Sequence, residues 1–230
     1  MTHSKSHNAE AAATDYYPDA GEPPVAHPLA HALAARLAAR RGAWVCLVGI
    51  GNGRNVAPFL SAGLRVYAVD EDAARVAGAA QTFASNDHVR IAHACYNEPI
   101  ARTERFAGAL STHALLHGTP PTVASAVQAV RARLTTGGLF FVTLGSVRDQ
   151  RFGRGTRVAD GAFALTEGRE AGVVHSFFDE AGVRALFGGF ELEEVREDSA
   201  ATTVGTWAHE RDQSRDIVHW FVRARRACDQ

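Results

Sequence analysis

From position 43 onward the chain alternates unbroken apolar runs with stretches whose apolar residues recur every three or four positions. The runs AWVCLVGI, LRVYAVD, VRIAHAC, FAGALST and LFFVTLGS have the length and composition of strands buried on both faces. Between them, GRNVAPFLSAG, EDAARVAGAAQTFASN and PTVASAVQAVRARLTTGG carry helical spacing. Strands separated by helices of about 10 to 15 residues predict βαβ units and a parallel sheet covered on both faces. Ahead of this region, HPLAHALAARLAARRG sets Leu29, Leu33 and Leu37 at four-residue spacing, a helix stopped by Gly42. The tail segments GFELEEVRED and DIVHWFVRARR alternate instead, which predicts an antiparallel hairpin at the sheet edge joined by a short connection. The expected fold is α/β and doubly wound: a mostly parallel seven-stranded sheet with an antiparallel C-terminal edge hairpin.

One such sheet accounts for a chain of 230 residues as a single domain over 25–230. Residues 1–24 are polar and Ala-rich and end in Pro23-Pro24; they are expected to be flexible in isolation and able to cover a site. A formal net charge of −1 gives no field for nucleic acid or an anionic membrane. Apolar stretches of about 18 residues are absent, as is an apolar core near the N-terminus, so a cytoplasmic location is expected. Cys46, Cys95 and Cys228 are too scattered for a C-x-x-C pair and read as free thiols. His27 and His31, four apart, read as a solvated helix face.

The first apolar run leads straight into Gly49-Ile50-Gly51-Asn52-Gly53. A glycine-rich turn at the C-terminal end of the first strand is where open α/β sheets bind ligands. A dinucleotide loop needs a third small residue where Arg54 stands, so that pattern fails; no Gly-Lys-Ser/Thr follows, so the P-loop fails as well. Nineteen residues past Gly51, at the end of the next strand, Asp70 can accept hydrogen bonds from both hydroxyls of a ribose. Loop and carboxylate together predict a nucleoside-containing ligand without a pyrophosphate.

With those elements in place, VGIGNGRN and VYAVDED resemble the first two motifs of the class I S-adenosylmethionine (SAM)-dependent methyltransferases. FAGALSTHALLHG is similar to the family's fourth-strand motif, and RARLTTGGLFFVTLGS to its segment before strand five, with Thr136 in the usual proline position. SVRDQRFGRGTRV and HSFFDEAGVRALFGGFELEEV resemble the small-molecule branch related to tellurite-resistance-type methyltransferases. The resemblance runs from Trp44 to the C-terminus and implies a Rossmann-like fold with SAM as cofactor. It implies a cofactor site made of Gly49, Ile50, Gly51, Asn52, Gly53, Asn55, Asp70, Glu71, Ala94, Cys95, Ser111 and Thr112. It further implies O- or N-methylation of a small molecule in specialised metabolism or detoxification, by a monomer or homodimer with no nucleic-acid or membrane partner.

A sulfonium methyl group is already activated, so alignment carries most of the catalysis, and a base matters only where the acceptor keeps its proton. His113 and His117, just past the fourth strand, are the catalytic candidates. Tyr16, Tyr17, Arg148 and His175 are candidates for the substrate side; Tyr16 and Tyr17 could also pack against the sulfonium. Residues 146–176 form a long connection read as a lid or a disordered loop, and its Arg148, Arg151, Arg154, Arg157 and Arg169 suit an anionic substrate or simply solvent. His113, His117 and His175 lack a carboxylate at supporting spacing, so no metal is expected. Leu47 stands where the family carries an acid, and Cys95 near the end of the third strand where an Asp is common. These departures keep open a second reading, a degenerate SAM-binding partner protein without turnover. A third, a nucleotide-linked oxidoreductase, is disfavoured by Arg54.

Overall fold

Each apolar run forms a strand that sends alternate side chains to two separate apolar layers. In β1 (Trp44–Val48), Val45 and Leu47 face one layer, Cys46 and Val48 the other. A computed structural model describes residues 25–98, 100, 103–168, 170–199 and 217–228. On either side of β1 lie β2 (Arg65–Asp70) and β4 (Phe106–Ser111), followed outward by β3 (Val89–His93) and β5 (Leu134–Ser146), all parallel. β10 (Val218–Arg226) adds antiparallel to β5, and β9 (Phe190–Ser199) antiparallel to β10. One path through the sheet, 3-2-1-4-5-10-9, has the seven strands and antiparallel edge expected, but the whole sheet has ten strands.

Helices cover both faces, as continuous apolar strands require. α1 (Pro28–Leu37) turns Leu29, Ala30, Leu33, Ala34 and Leu37 into one layer, joined there by Val56 and Phe59 of α2 (Val56–Ser61) and Ala79 of α3 (Ala73–Thr82). The opposite layer takes Val123, Ala126, Val127 and Val130 of α4 (Pro120–Arg133) with Val183 and Leu186 of α5 (Glu180–Leu186). Cys46, Cys95 and Cys228 are all unpaired thiols, and burial pushes the Cys46 thiol well up. No helix among the described residues is long and apolar enough to cross a membrane.

Three sequence expectations are corrected. The connection after β5 is not a disordered loop. It folds as β6 (Thr156–Ala159), β7 (Ala162–Ala164) and β8 (Val174–Phe178), successive antiparallel strands. β8 then pairs parallel with Gly145 and Ser146 of β5, on the edge that β4 leaves at Ser111. Strands this short show no readable period; what orders them is contact among Phe152, Phe163 and Phe177, with ring centroids 5.4 to 6.3 Å apart. Second, β9 and β10 pair as expected, but 200–217 separate them, so register comes from β5 and not from a tight turn. Third, the TTGG segment belongs to the start of β5, because Leu134 turns extended (ψ 148°) and ends α4.

α1 packs this closely because β4 has Gly108, where an added Cβ would lie 2.7 Å from Leu37 Cδ1 and 3.3 Å from Leu33 Cδ1. Leu33 is fully buried in that layer. Leu33→Ala is expected to lower stability by about 2–5 kcal/mol, read as an earlier urea midpoint with an unchanged slope.

Candidate active site

The C-terminal ends of β1, β2 and β4 meet where the strand order reverses direction, the crevice in which open α/β sheets place ligands. The glycine loop crosses this crevice. Its three glycines have different reasons to be there. A Cβ on Gly49 (φ 85°) would lie 2.4 Å from Ala114 Cβ, and one on Gly53 would lie 2.9 Å from the Phe83 ring. Gly51 (φ 52°) faces open space, with nothing within 4 Å of an added Cβ. Gly51 is thus the open position of the loop, while its neighbours are required by packing.

Asp70, 1% exposed at the end of β2, fixes this loop from below. Gly51 N donates to Asp70 Oδ2 at 3.1 Å and Asp72 N to Oδ1 at 3.0 Å. The Glu71 carboxylate accepts from Tyr96 N at 2.8 Å, and Ala94 N donates to Asp70 O at 3.2 Å, which holds 94–96 beside the carboxylate. Burial, with Asp70 and Glu71 nearby, pushes the Tyr96 phenol well above its usual range. Cys95 is exposed, and Leu47 packs in the apolar layer of α1, so neither position brings an acid to the crevice.

Asn55 ties the N-terminal helix to this loop. Its Oδ1 accepts from His27 N at 2.9 Å, and its Nδ2 donates to Thr112 Oγ1 at 3.0 Å. Asn52 serves its own turn, accepting from Arg54 N at 3.2 Å. Beside Thr112, Ser111 is 1% exposed and its Oγ has no hydrogen-bond partner among the described residues. A buried hydroxyl without a partner at the ligand crevice is a polar group waiting for one.

His113 has φ 59°, the one non-glycine with positive φ among the described residues. Its amide donates to Thr143 Oγ1 at 2.9 Å, which holds the turn, and its ring lies against His27 (5.7 Å) and His219 (4.9 Å). Strain of this kind is kept where a side chain must point somewhere particular. His27 is therefore not on a solvated face: it is fully buried, caps α1 by accepting from Leu29 N at 3.0 Å, and stacks on Phe221. His31 is exposed, as expected. The Arg54 guanidinium shares this wall and is held down at about 9 by burial.

The other candidates lie apart. Arg148 pairs with Glu197 at 2.8 Å with its side chain 77% exposed and does not join the histidine group. Arg151 is instead the buried cation of that segment, held by both oxygens of Asp149 at 2.9 and 2.8 Å. His175 lies in β8 and contacts His117, not His113. Tyr16, Tyr17 and Arg169 lie outside the described residues. His27, Tyr96, Arg151 and His219 carry no motif; the apolar and alternating contexts of His27 and His219 were the available signal.

Burial first, then Arg54, holds His27 down at about 3 from an ordinary 6.5. The fold keeps this ring neutral, whereas the unfolded chain protonates it below 6.5. Its contribution to stability is complete above that value and is lost as pH falls toward 3, by about 1.4 kcal/mol per pH unit. His27→Asn, which keeps a capping acceptor, is expected to flatten the acid limb of the urea-stability profile by close to one proton.

Residues 45–138 match the family described as "Methyltransferase domain". No curated protein matches the sequence. Among solved structures, 1,6-didemethyltoxoflavin-N1-methyltransferase from Burkholderia thailandensis is 24% identical, with a TM-score of 0.61 over 87% of this chain and 78% of its own. A SAM-dependent methyltransferase from Methanosarcina mazei shares 14% identity, with a TM-score of 0.67 over 90% of this chain and 100% of its own. TehB from Haemophilus influenzae shares 16%, with a TM-score of 0.59 over 85% of this chain and 61% of its own. Structural likeness at these identities establishes the fold, and the family match covers the glycine loop, Asp70 and the fourth strand. Residues 45–138 thus carry a methyltransferase-domain match, on a fold shared with SAM-dependent methyltransferases.

Proposed function

We propose that the chain binds SAM across the ends of β1, β2 and β4 and methylates a nitrogen or oxygen of a small-molecule acceptor in specialised metabolism or detoxification. The observation that carries this reading is the open space over Gly51, bounded by the buried Asp70 carboxylate. When bound, SAM supplies an electrophilic methyl on a sulfonium. The chain's part is to hold it: Asp70 accepts from ribose hydroxyls, the amides of the 49–53 loop face its polar groups, and the Ser111 hydroxyl gains a partner. Glu71, Ala94 and Cys95 form the rim at the end of β3, with the Glu71 carboxylate engaged by Tyr96 N.

The acceptor wall is built from His113, His27, His219 and Arg54. His113 is the base that takes the acceptor proton; the neutral His27 ring beside it adds no charge to oppose protonation. A small acceptor is supported by the Burkholderia enzyme, which binds 1,6-didemethyltoxoflavin and S-adenosylhomocysteine on the same fold.

Calorimetry with S-adenosylhomocysteine is expected to show saturable binding that Asp70→Asn weakens at least about tenfold. Binding of NAD in its place would sink the cofactor assignment. In label transfer from SAM to a metabolite extract, His113→Ala is expected to cut turnover by about 10²-fold or more with donor affinity intact. Unchanged turnover would remove His113 from the chemistry.

A further inference from the structure

The catalytic candidate His117 lies in a second group, away from His113. The backbone locks it beside His175: the two residues form an isolated antiparallel bridge, Gly118 N donates to Val174 O at 2.9 Å, and Ser176 N donates to Leu116 O at 2.8 Å. Their rings meet edge to face with centroids 4.9 Å apart. The turn before β8 brings a carboxylate to the same place, closed by Gly172 N donating to Leu165 O at 2.8 Å and Val173 N to Glu170 O at 3.0 Å. One ligand atom each from His117, Glu170 and His175 then lie within 4.8 Å of one another. The three come from a loop, a turn and a strand, so sequence spacing could not display them.

We propose that His117, Glu170 and His175 bind one divalent transition-metal ion, through two imidazole nitrogens and a carboxylate. The His175 contacts carry this. Its Nδ1 lies 3.1 Å from Val173 O, an atom that can only accept, so Nδ1 bears the proton. In the neutral ring Nε2 then presents a lone pair to Glu170 Oε2 at 3.0 Å. Two electron-rich atoms at that distance require a cation between them or a proton on the ring. A carbonyl on the distal nitrogen is how metal-bound imidazoles are oriented. His117 Nε2 is buried and lies 3.9 Å from Glu170 Oε1.

The surrounding charges permit an added cation. Arg151 Nη1 reaches Glu170 Oε2 at 3.3 Å, but its Nε and Nη2 are taken by Asp149, which neutralises it. Arg75 is the other cation acting on His117. Glu170 and Asp149 therefore share one guanidinium, so two carboxylates face a single arginine there. A nitrogen-rich N₂O set suits Zn²⁺, Co²⁺ or Fe²⁺ rather than Mg²⁺ or Ca²⁺, and three protein ligands leave a position open. Bound there, the ion ties the loop that carries His113 to β8. Donor binding at Asp70 does not depend on it.

The test uses the untagged, full-length chain with Cys95→Ser and Cys228→Ser, stripped by chelator and titrated with Co²⁺ in the visible range. The expected result is one equivalent bound with ligand-field bands, displaced by Zn²⁺, and weakened at least about tenfold by Glu170→Gln and by His117→Ala, with His31→Ala unchanged. Absorption fine structure of the Zn²⁺-loaded parent chain, which needs no variant to fold, is expected to show two imidazole scatterers. Absence of stoichiometric binding, equal affinity in the Glu170 and His117 variants, or a shell without imidazole would overturn the site and leave a protonated His175 paired with Glu170.

Discussion

The hydrogen bond from the Gly51 amide to the buried Asp70 carboxylate is the constraint around which the crevice is organised. It stitches the turn after β1 to the end of β2, reinforced by Gly49 N donating to Val69 O at 2.9 Å. Asp70 also accepts from Asp72 N at 3.0 Å and lies beside Tyr96, whose phenol hydrogen-bonds it. An ionised carboxylate offers about four acceptor positions, so the two amides leave room for a diol only where the phenol gives way. Tyr96 thereby occupies the acceptor capacity that a ribose would use. The same carboxylate shapes the loop and is the proposed ribose acceptor, so the loop is set in advance and Tyr96 is the group that must move.

Asn55 extends that order to the acceptor side. By accepting from His27 N and donating to Thr112, it joins the start of α1, the glycine loop and the end of β4 in one polar knot. The knot fixes the His27 ring against His113 and Phe221. Burying a neutral imidazole costs far less than burying a cation, and burial keeps the His27 ring neutral. Arg54 adds to that pressure on His27 and is itself desolvated.

The parts of this protein that could be read from its sequence are those whose causes are local. Strand type followed from unbroken apolar runs, and the glycine loop and Asp70 followed from fixed spacing across one βαβ unit. Gly53 was legible as a glycine but not for its reason, because the Phe83 ring that forbids a side chain there sits thirty residues on. His27 looked solvated because its helical neighbour His31 is; only β10 crossing beneath it supplies Phe221 and His219. Glu170 was invisible for the same reason, being delivered by a meander of strands three to five residues long, too short to show a period.

Those long-range deliveries converge on the loop after β4. Ala114, Leu115 and Leu116 anchor its middle in the core, while His113 and His117 leave it at opposite ends into separate polar groups. Arg151 joins the two groups: Nη2 is 3.3 Å from His219 Nε2, and Nη1 is 3.3 Å from Glu170. A guanidinium can only donate, so His219 Nε2 is an acceptor and the ring, when neutral, carries its proton on Nδ1. Asp149 holds that guanidinium in place and also accepts from Val218 N at 3.1 Å, tying the arrangement to the first residue of β10. The protonation pattern around His113 is therefore set by a cation that touches both groups, and any change of charge at Glu170 is felt, through Arg151, at the ring beside the proposed base.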